Sequence, residues 1–279
     1  MKNIKLNNGL EMPQIGIGTF MLDPDEAENS VYWALNMGYR LIDTANAYVN
    51  EKAVGRAIKN SYQDRDDIFI STKLWPTEYE NEKAVDETLE RLGVDYIDLL
   101  FLHQPAGNYV SGYRLLEKAY KEGKIKAIGI SNFEGKYLDE ILSICEIEPQ
   151  VIQVEAHPYY IQNDLKDILQ QHDIKLMSWY PLGHGDISLI EEEVIKKLSE
   201  KYKKTPAQII LRWHIQMEFI VIPGSKNPSH IKENFDIFDF ELTNDDMKQI
   251  DLINKNQRYY NSTQEDLDRY AAWKPEYED

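Results

Sequence analysis

The sequence predicts an α/β protein that folds as one (β/α)8 TIM barrel, and three observations support this prediction. The chain has 279 residues, and a barrel of this class typically needs about 250. Short apolar runs rich in β-formers alternate with amphipathic stretches of helical length, which is typical of parallel strands joined by helices. No linker or change of composition divides the chain, so we expect a single domain over residues 1–279.

The predicted elements follow one another regularly along the chain. Residues 1–14 form a hairpin, because Asn8-Gly9 is a favoured two-residue turn. The apolar runs predict barrel strands at 15–20, 39–43, 68–73, 96–103, 125–131, 150–155, 174–180 and 219–225. The amphipathic stretches predict helices at 25–37, 51–62, 79–92, 111–122, 134–144, 163–172, 190–217 and 228–238.

Two further segments carry patterns of their own. Thr205 and Pro206 are typical of an N-cap and a first helical residue, so the stretch 190–217 is predicted to be two helices. The tail, 255–279, is polar and aromatic without a core pattern. We expect it to lie over one end of the barrel, near the mouth.

Composition and charge exclude several classes of protein. The net charge of −17 argues against nonspecific nucleic-acid binding, which depends on Lys and Arg neutralising phosphates. No stretch approaches the ~18 apolar residues of a membrane span, and the N-terminus has no apolar signal core. Cys145 is the only cysteine, so no internal disulfide forms. We therefore expect a cytoplasmic protein with no nucleic-acid or membrane partner.

Polar side chains close three successive predicted strands. Asp43, Lys73 and His103 each end an apolar run and are spaced 30 residues apart. Active sites of such barrels lie at the C-terminal ends of the strands, so these three should meet at one mouth with Tyr48 beside them. Each residue alone is more often a cap, loop or core residue. Four at equivalent places favour a functional site.

The chemistry of this set suits delivery of a proton to an oxygen atom. The unperturbed pKa of tyrosine is about 10, which makes Tyr48 a poor acid near neutrality. A lysine ammonium ~4 Å away would favour the phenolate by about 4 kcal/mol at an effective dielectric constant of ~20, or roughly three pKa units. Asp43 would hold Lys73 charged, and His103 would orient a substrate oxygen. The sequence has no Cys–His pair or HExxH motif to indicate a nucleophile or a metal.

Later strand ends carry side chains that suit a nicotinamide ring. Ser131 and Asn132 end one strand, Gln153 ends the next, and Tyr180 ends the one after. Amides and a flat aromatic ring suit a carboxamide-bearing heterocycle. The last loop leads into the helix predicted at 228–238, whose N-terminus would accept a phosphate.

Six motifs together resemble the aldo-keto reductase family, in particular bacterial enzymes that reduce diketogluconate or small aldehydes. The motifs are LIDTANAYVNE, STKLW, LLFLHQP, GISNF, QVEAHPY and IPGSKNPSHIKEN, and the resemblance covers nearly the whole chain. It implies a monomeric barrel enzyme that reduces an aldehyde or ketone to an alcohol with NADPH, or with NADH. On this resemblance Tyr48 is the general acid, Asp43 and Lys73 tune it, and His103 orients the carbonyl.

The resemblance also implies the binding contacts. Those with the cofactor fall on Asp43, Ser131, Asn132, Gln153, Tyr180, Leu182, Ser225, Lys226, His230, Glu233 and Asn234. Those with the substrate fall on Tyr48, His103, Phe20, Trp75 and Tyr109. No metal ligand is implied.

Two departures from the family pattern concern the choice of cofactor. Gly224 and His230 stand where a lysine and an arginine usually grip the 2′-phosphate of NADPH. Lys226 and Lys232 would compensate for these missing cations. NADPH is the expected cofactor, and NADH stays open.

A third departure concerns the substrate pocket. Gln104 replaces the tryptophan that commonly follows the catalytic histidine, and the short segment 104–112 predicts an open pocket for small aldehydes or ketones.

Two alternative functions remain open. One is a non-catalytic regulatory module that binds a nicotinamide nucleotide without turnover. The other is a barrel hydrolase or isomerase of phosphate esters that uses His103 and Asp43 with a metal or a second carboxylate.

Overall fold

A closed ring of parallel strands forms the centre of the molecule in the computed structural model, which describes residues 2–277. Within that range the strands are β1 (Asn3–Lys5), β2 (Glu11–Pro13), β3 (Ile17–Gly18), β4 (Leu41–Asp43), β5 (Phe69–Leu74), β6 (Leu99–Leu102), β7 (Ile128–Ser131), β8 (Val151–Glu155), β9 (Lys175–Trp179) and β10 (Ile220–Val221). Strands β3 to β10 are parallel neighbours in chain order. The (β/α)8 barrel is confirmed.

The seam between β3 and β10 closes the ring. The N–H of Gly16 donates to the carbonyl of Val221 at 2.9 Å, and Gly18 forms a parallel bridge with Gly224. A Cβ atom at position 224 would lie 3.1 Å from the carbonyl oxygen of Gly18. The close approach of the two chain segments therefore favours glycine at position 224.

Helices surround the barrel, and the last of them lies at its mouth. They are α1 (Pro24–Asn36), α2 (Glu51–Asn60), α3 (Ala84–Leu92), α4 (Tyr109–Lys121), α5 (Lys136–Ile144), α6 (Asn163–Gln171), α7 (Ile187–Ile190), α8 (Glu193–Tyr202), α9 (Pro206–Gln216), α10 (Pro228–Phe235), α11 (Asn244–Asp251) and α12 (Gln264–Ala272). In the described residues 2–277 none of them is both long and apolar enough to cross a membrane. The predicted break at Thr205 is confirmed, because Thr205 caps α9 and Pro206 is its first residue.

Strand alternation divides the core into two parts. The larger apolar cluster lies between the strands and the helices and includes Ile42, Ile70 and Leu100. The smaller cluster fills the barrel and includes Leu41 and Leu99, which point the opposite way because successive side chains of a strand alternate. Side chains of the N-terminal hairpin, in β1 and β2 and the turn between them, join this inner cluster and plug the bottom of the barrel.

The tail contains a helix that the hydrophobic pattern did not predict. Residues 255–279 show no core pattern in the sequence, but α12 forms there and buries Leu267. Thr263 and Asp266 make a capping box that starts this helix, and Thr243 and Asp246 start α11 in the same way. Both pairs have the threonine-to-acid spacing of three residues that marks a helix start. The sequence therefore carried a signal that hydrophobic periodicity alone did not reveal.

Candidate active site

Asp43, Lys73 and His103 share the inner face of the barrel at its C-terminal end. Leu41 belongs to the inner cluster, so Asp43, two residues later on β4, points inward as well. In the same way His103 follows the inner residue Phe101 by two positions, directly after β6. The two-residue repeat of a strand thus carries each functional group to the axis of the barrel.

A buried ion pair lies at the bottom of the site. Lys73 Nζ is 2.6 Å from Asp43 Oδ2, and the two side chains are 0% and 2% exposed. The ammonium also donates to the carbonyl of Thr44 at 2.7 Å. Asp43 Oδ1 accepts from Ser71 Oγ at 2.8 Å and from Gln153 Nε2 at 3.0 Å. Charges taken out of water are tolerated only when paired and hydrogen-bonded in this way.

Tyr48 lies above this ion pair. It ends the 3₁₀ turn Asn46–Tyr48 that follows β4, and Lys73 Nζ is 5.1 Å from the centre of its ring. The ring centre of His103 is 5.6 Å from that of Tyr48, and the ring centre of Phe20 is 5.1 Å away on another side. The four residues predicted to be catalytic therefore come together at one mouth.

The electrostatic effect on Tyr48 differs from the expectation. From the sequence alone, Lys73 was predicted to lower the pKa of the phenol. Burial instead raises the pKa of Tyr48 well above its usual value, and Asp43 and Tyr180 raise it further. The main physical reason is the loss of hydration of the buried phenol, and the carboxylate of Asp43, which is paired with Lys73, adds to it. Tyr48 consequently stays protonated at neutral pH, which is the state that a proton donor needs.

His103 is neutral at the same pH. Burial lowers its pKa well below the ordinary value, and the charge of Lys73 lowers it further. Its ring packs edge-on against Trp75 with centres 5.0 Å apart. His103 Nδ1 is buried and has no hydrogen-bond partner among residues 2–277. A neutral imidazole can donate one hydrogen bond to a substrate oxygen.

The residues predicted to hold the nicotinamide lie beside the ion pair. Ser131 and Gln153 are paired across β7 and β8, and Asn132 Nδ2 donates to the carbonyl of His103 at 3.2 Å. Asn132 and Tyr180 have positive φ angles of 66° and 51°, which is uncommon outside glycine and concentrates at functional sites. Amide side chains next to a half-buried aromatic ring fit a carboxamide-bearing heterocycle at this place.

Most of the remaining predicted cofactor contacts form a second group on α10 and in the loop before it. They are Ser225, Lys226, His230, Glu233 and Asn234. Lys226 Nζ lies 2.7 Å from Glu26 Oε1, so its charge is already engaged. Glu233 accepts from the hydroxyl of Thr205 at 2.7 Å. His230 is exposed on the first turn of α10 and contacts no charged partner among the described residues.

Two further predicted contacts, Tyr109 and Leu182, pack against neighbouring elements of the barrel. Tyr109 packs edge-on against Phe133 and Tyr137, and its hydroxyl donates to Glu140 on the neighbouring helix α5. These contacts pack Tyr109 on α5. Leu182 packs partly buried against the outer core.

The C-terminal segment covers the substrate side, although the short segment 104–112 predicted an open pocket. Trp75 packs edge-on against Tyr270 and Trp273, with ring centres 5.3 and 5.2 Å away. The hydroxyl of Tyr260 donates to Gln104 Oε1 at 3.3 Å, and Gln104 is 7% exposed. The tail thus fills the room that the short loop leaves. We call Tyr260, Tyr270 and Trp273 the roof.

Sequence reasoning missed several supporting residues. Asn46 Oδ1 accepts a hydrogen bond from the backbone N–H of Trp75 at 3.0 Å. This bond fixes the backbone of Trp75, a predicted substrate contact. Trp179 Nε1 donates to Asn132 Oδ1 at 3.1 Å. Glu155 is fully buried at the end of β8. The quoted motifs contain Asn46 and Glu155, and an acid that ends a core strand was the same signal that identified Asp43.

The described residues 2–277 contain no group of three or more His, Cys, Asp or Glu side chains arranged to hold a metal ion. The polar groups at the mouth are instead an ion pair, a phenol, an imidazole and amides.

Comparison with known proteins agrees with this geometry. The profile of the Aldo/keto reductase family matches residues 14–255. The chain belongs to the aldo/keto reductase family. A 9,11-endoperoxide prostaglandin H2 reductase of Trypanosoma cruzi is 41% identical to this reductase over 261 residues, which are 91% of this chain and 92% of the relative.

Two further relatives resemble the reductase over similar lengths. Glyoxal reductase of Bacillus subtilis is 45% identical, with 91% of this chain and 94% of the relative covered. The crystal structure of MGS-M4, an aldo-keto reductase from a Medee basin deep-sea metagenome library, is 44% identical with a TM-score of 0.90 and covers 92% of this chain and 97% of its own. The protein is therefore an NAD(P)H-dependent oxidoreductase that reduces carbonyl groups, and the non-catalytic alternative receives no support.

We predict that Asp43→Asn strongly destabilises the reductase. The change leaves the buried ammonium of Lys73 without its counter-charge, and breaking a buried ion pair from one side typically costs about 3–5 kcal/mol. Urea unfolding followed by circular dichroism measures the free energy of unfolding. Glu193→Gln, which breaks the exposed Lys197–Glu193 pair, is the control and should change little. Equal effects of the two substitutions would contradict the argument.

We also predict that kcat/KM for carbonyl reduction is flat between about pH 6 and pH 9. The pKa of Tyr48 is raised, so its proton is kept as the pH rises through this window. The pKa of His103 is lowered, so the ring stays neutral as the pH falls to its lower end. Steady-state rates across the window, with NMR of the His103 ring assigned by His103→Gln, test this. Protonation of His103 near its ordinary pKa would sink the prediction.

Proposed function

We propose that the reductase reduces a small aldehyde or ketone to an alcohol with Tyr48 as the proton donor and NADPH as the preferred cofactor. The observation that carries the proposal is the buried Lys73–Asp43 pair beneath a half-buried phenol, with a neutral imidazole 5.6 Å from the phenol ring. This arrangement offers two hydrogen-bond donors, Tyr48 and His103, to one oxygen atom.

The roles of the residues follow from their states of protonation. When bound, the reduced nicotinamide supplies a hydride to the carbonyl carbon. Negative charge then develops on the carbonyl oxygen, where hydrogen bonds from Tyr48 and His103 stabilise it. Tyr48 transfers its proton to that oxygen because an alkoxide is a stronger base than a phenolate. The ammonium of Lys73 stabilises the phenolate that remains, and Asp43 holds the ammonium in place.

The choice of NADPH rests on the residues around the proposed adenosine end of the cofactor. Ser225 and Asn234 keep the family pattern around the adenosine end, and α10 begins there with Asn227 as its N-cap, which favours a phosphate. Lys226 is paired with Glu26, so it compensates only in part for the lysine that Gly224 replaces. Lys232 is exposed on α10. These features support NADPH first, with NADH also accepted.

The proposed substrates are small carbonyl compounds, including 1,2-dicarbonyls. Phe20 and Trp75 beside the catalytic groups, with the roof above them, form a compact aromatic wall. The name of the relative glyoxal reductase supports the same class of compound. We further propose that the reductase acts as a cytoplasmic monomer, which the single cysteine and the acidic composition favour.

We expect Tyr48→Phe to reduce kcat by at least about 10²-fold, because a positioned proton donor typically contributes that much or more. Loss of reduced-nicotinamide absorbance with glyoxal, methylglyoxal and a panel of small aldehydes and ketones measures the rate. Quenching of tryptophan fluorescence measures cofactor binding, which should change little. Tyr62→Phe is the control, since Tyr62 is 92% exposed.

Three results would contradict the proposal. Turnover by Tyr48→Phe at the wild-type rate would remove the role of the phenol. Cofactor binding without turnover of any carbonyl by the wild-type protein would support the regulatory module instead. Faster turnover with NADH than with NADPH would overturn the cofactor preference.

We expect His230→Arg to raise the preference for NADPH over NADH by about tenfold, equivalent to about 1.4 kcal/mol. The guanidinium would extend from the exposed first turn of α10 and pair with a 2′-phosphate. The ratio of kcat/KM values for the two cofactors measures the effect. His230→Gln, which adds no charge, should leave the ratio close to that of the wild type. An equal change in both variants would show that charge at position 230 does not decide the preference.

A further inference from the structure

Glu155 is a buried carboxylate outside the catalytic four. It ends β8 on the inner face, two residues after Gln153, and is 0% exposed. Its oxygens accept the backbone N–H groups of Tyr259 at 2.7 Å and Tyr260 at 2.9 Å. His157 Nε2 lies 3.0 Å from the same carboxylate. A buried carboxylate without such partners is costly, so the tail segment that carries these two N–H groups is held firmly on the barrel.

The side chain of Tyr259 extends from this point to the cofactor side of the site. Its hydroxyl donates to the carboxylate of Asp186, which caps the short helix α7. We call residues 183–192 the strap. Within the strap His184 stacks on Tyr180, the residue proposed to face the nicotinamide, with ring centres 4.1 Å apart. The side chain of Tyr259 thus fixes the strap where it borders the proposed cofactor cleft.

The side chain of Tyr260 extends to the substrate side of the site. Its hydroxyl donates to Gln104, next to the catalytic histidine, and lies 3.4 Å from the hydroxyl of Tyr270. Its ring packs edge-on against Trp179 with centres 5.5 Å apart. The side chain of Tyr260 therefore joins the roof to the loop that carries His103.

Tyr259 and Tyr260, both held by Glu155, therefore contact opposite sides of the site: Tyr259 the cofactor side and Tyr260 the substrate side. We propose that Glu155 is a positioning residue that makes the strap and the roof open and close as one unit, so that retention of the cofactor is coupled to the shape of the substrate pocket. The consequence for ligands rests on the proposed function, whereas the mechanical link rests on the contacts of Glu155 alone.

Other ties hold the residues just before Tyr259. The exposed pair between Lys255 and Glu192 of the strap, at 2.9 Å, contributes little to stability. Arg258 makes two hydrogen bonds to Glu134, and the backbone N–H groups of Lys255 and Gln257 donate to the carbonyl of Tyr159. None of these ties reaches the backbone of Tyr259 or Tyr260 itself. The fully buried carboxylate, with two backbone donors, is the tie whose loss should release both sides together.

Three substitutions separate the effects of Tyr259, Tyr260 and Glu155. Tyr259→Phe removes only the bond to the strap and should raise the Kd of NADPH about fivefold without changing the KM of the carbonyl substrate. Tyr260→Phe removes the bonds to Gln104 and to Tyr270, both on the substrate side, and should raise that KM about fivefold without changing the Kd. Glu155→Gln should raise both about tenfold. Lys255→Ala is the control and should change neither by more than about twofold.

Hydrogen–deuterium exchange of the protein without ligand tests the mechanical link by itself. In the wild type the amides of Tyr259, Tyr260, Asp186 and Leu189 should exchange through one opening, with protection factors that agree within about threefold. Tyr259→Phe should accelerate exchange at Asp186 and Leu189, while the backbone amides at positions 259 and 260 keep their protection. This measurement holds even where Glu155→Gln does not fold.

The outcomes are distinguishable. Strap amides that exchange about 100-fold faster than those of Tyr259 and Tyr260 in the wild type overturn the link. A folded Glu155→Gln variant with unchanged Kd and KM overturns it as well and leaves Glu155 a purely structural residue. If the wild type binds no nicotinamide nucleotide, the proposed function fails, whereas the exchange pattern still decides whether the strap and the roof move together.

Discussion

The buried ion pair between Lys73 and Asp43 is the constraint on which the rest of the site depends. Two charges inside a protein are stable only when their geometry is good and their remaining hydrogen bonds are satisfied. Separate strands and loops supply those bonds, from Thr44, Ser71 and Gln153. Gln153 is 110 residues from Asp43 in sequence, so closure of the barrel is a condition for the pair to exist.

Burial keeps the phenol protonated at rest, and the ion pair beneath it does not reverse this effect. A free lysine beside Tyr48 would lower the pKa of the phenol, but a lysine in contact with a carboxylate presents a dipole and little net charge. Burial then dominates and keeps the proton on Tyr48. His103 is held neutral by burial as well. The resting site is therefore two uncharged donors above a self-neutralised ion pair, a state that suits stabilisation of charge that appears only during the reaction.

The substrate side of the mouth is shared between distant parts of the chain. The loop after β6 is short, and the tail supplies the missing cover through Tyr260, Tyr270 and Trp273. Asn46 fixes the opposite wall through the backbone of Trp75. The pocket is thus assembled on rigid strand ends but closed by a segment whose attachment depends on Glu155. Affinity for substrates can change through the tail while the catalytic groups stay in place.

Much of the fold and of the catalytic group could be predicted from local patterns. Alternation within strands and the regular spacing of Asp43, Lys73 and His103 identified the barrel and its mouth, because a parallel barrel brings all strand ends to one edge. Helices α11 and α12 were missed, although their capping boxes are local signals. Their hydrophobic faces are short, so hydrophobic periodicity did not predict these two helices.

Other features needed the tertiary structure. The sequence by itself determined which side chains face the barrel axis, since a strand alternates regardless of its neighbours. It did not determine that Asp43 would cancel the charge of Lys73, that Tyr109 would pack on α5, or that Gln104 would lie beneath Tyr260. Those outcomes depend on distances between residues far apart in the chain, and electrostatic effects on a pKa depend on such distances and on burial together. Only the closed barrel with its tail in place decides them.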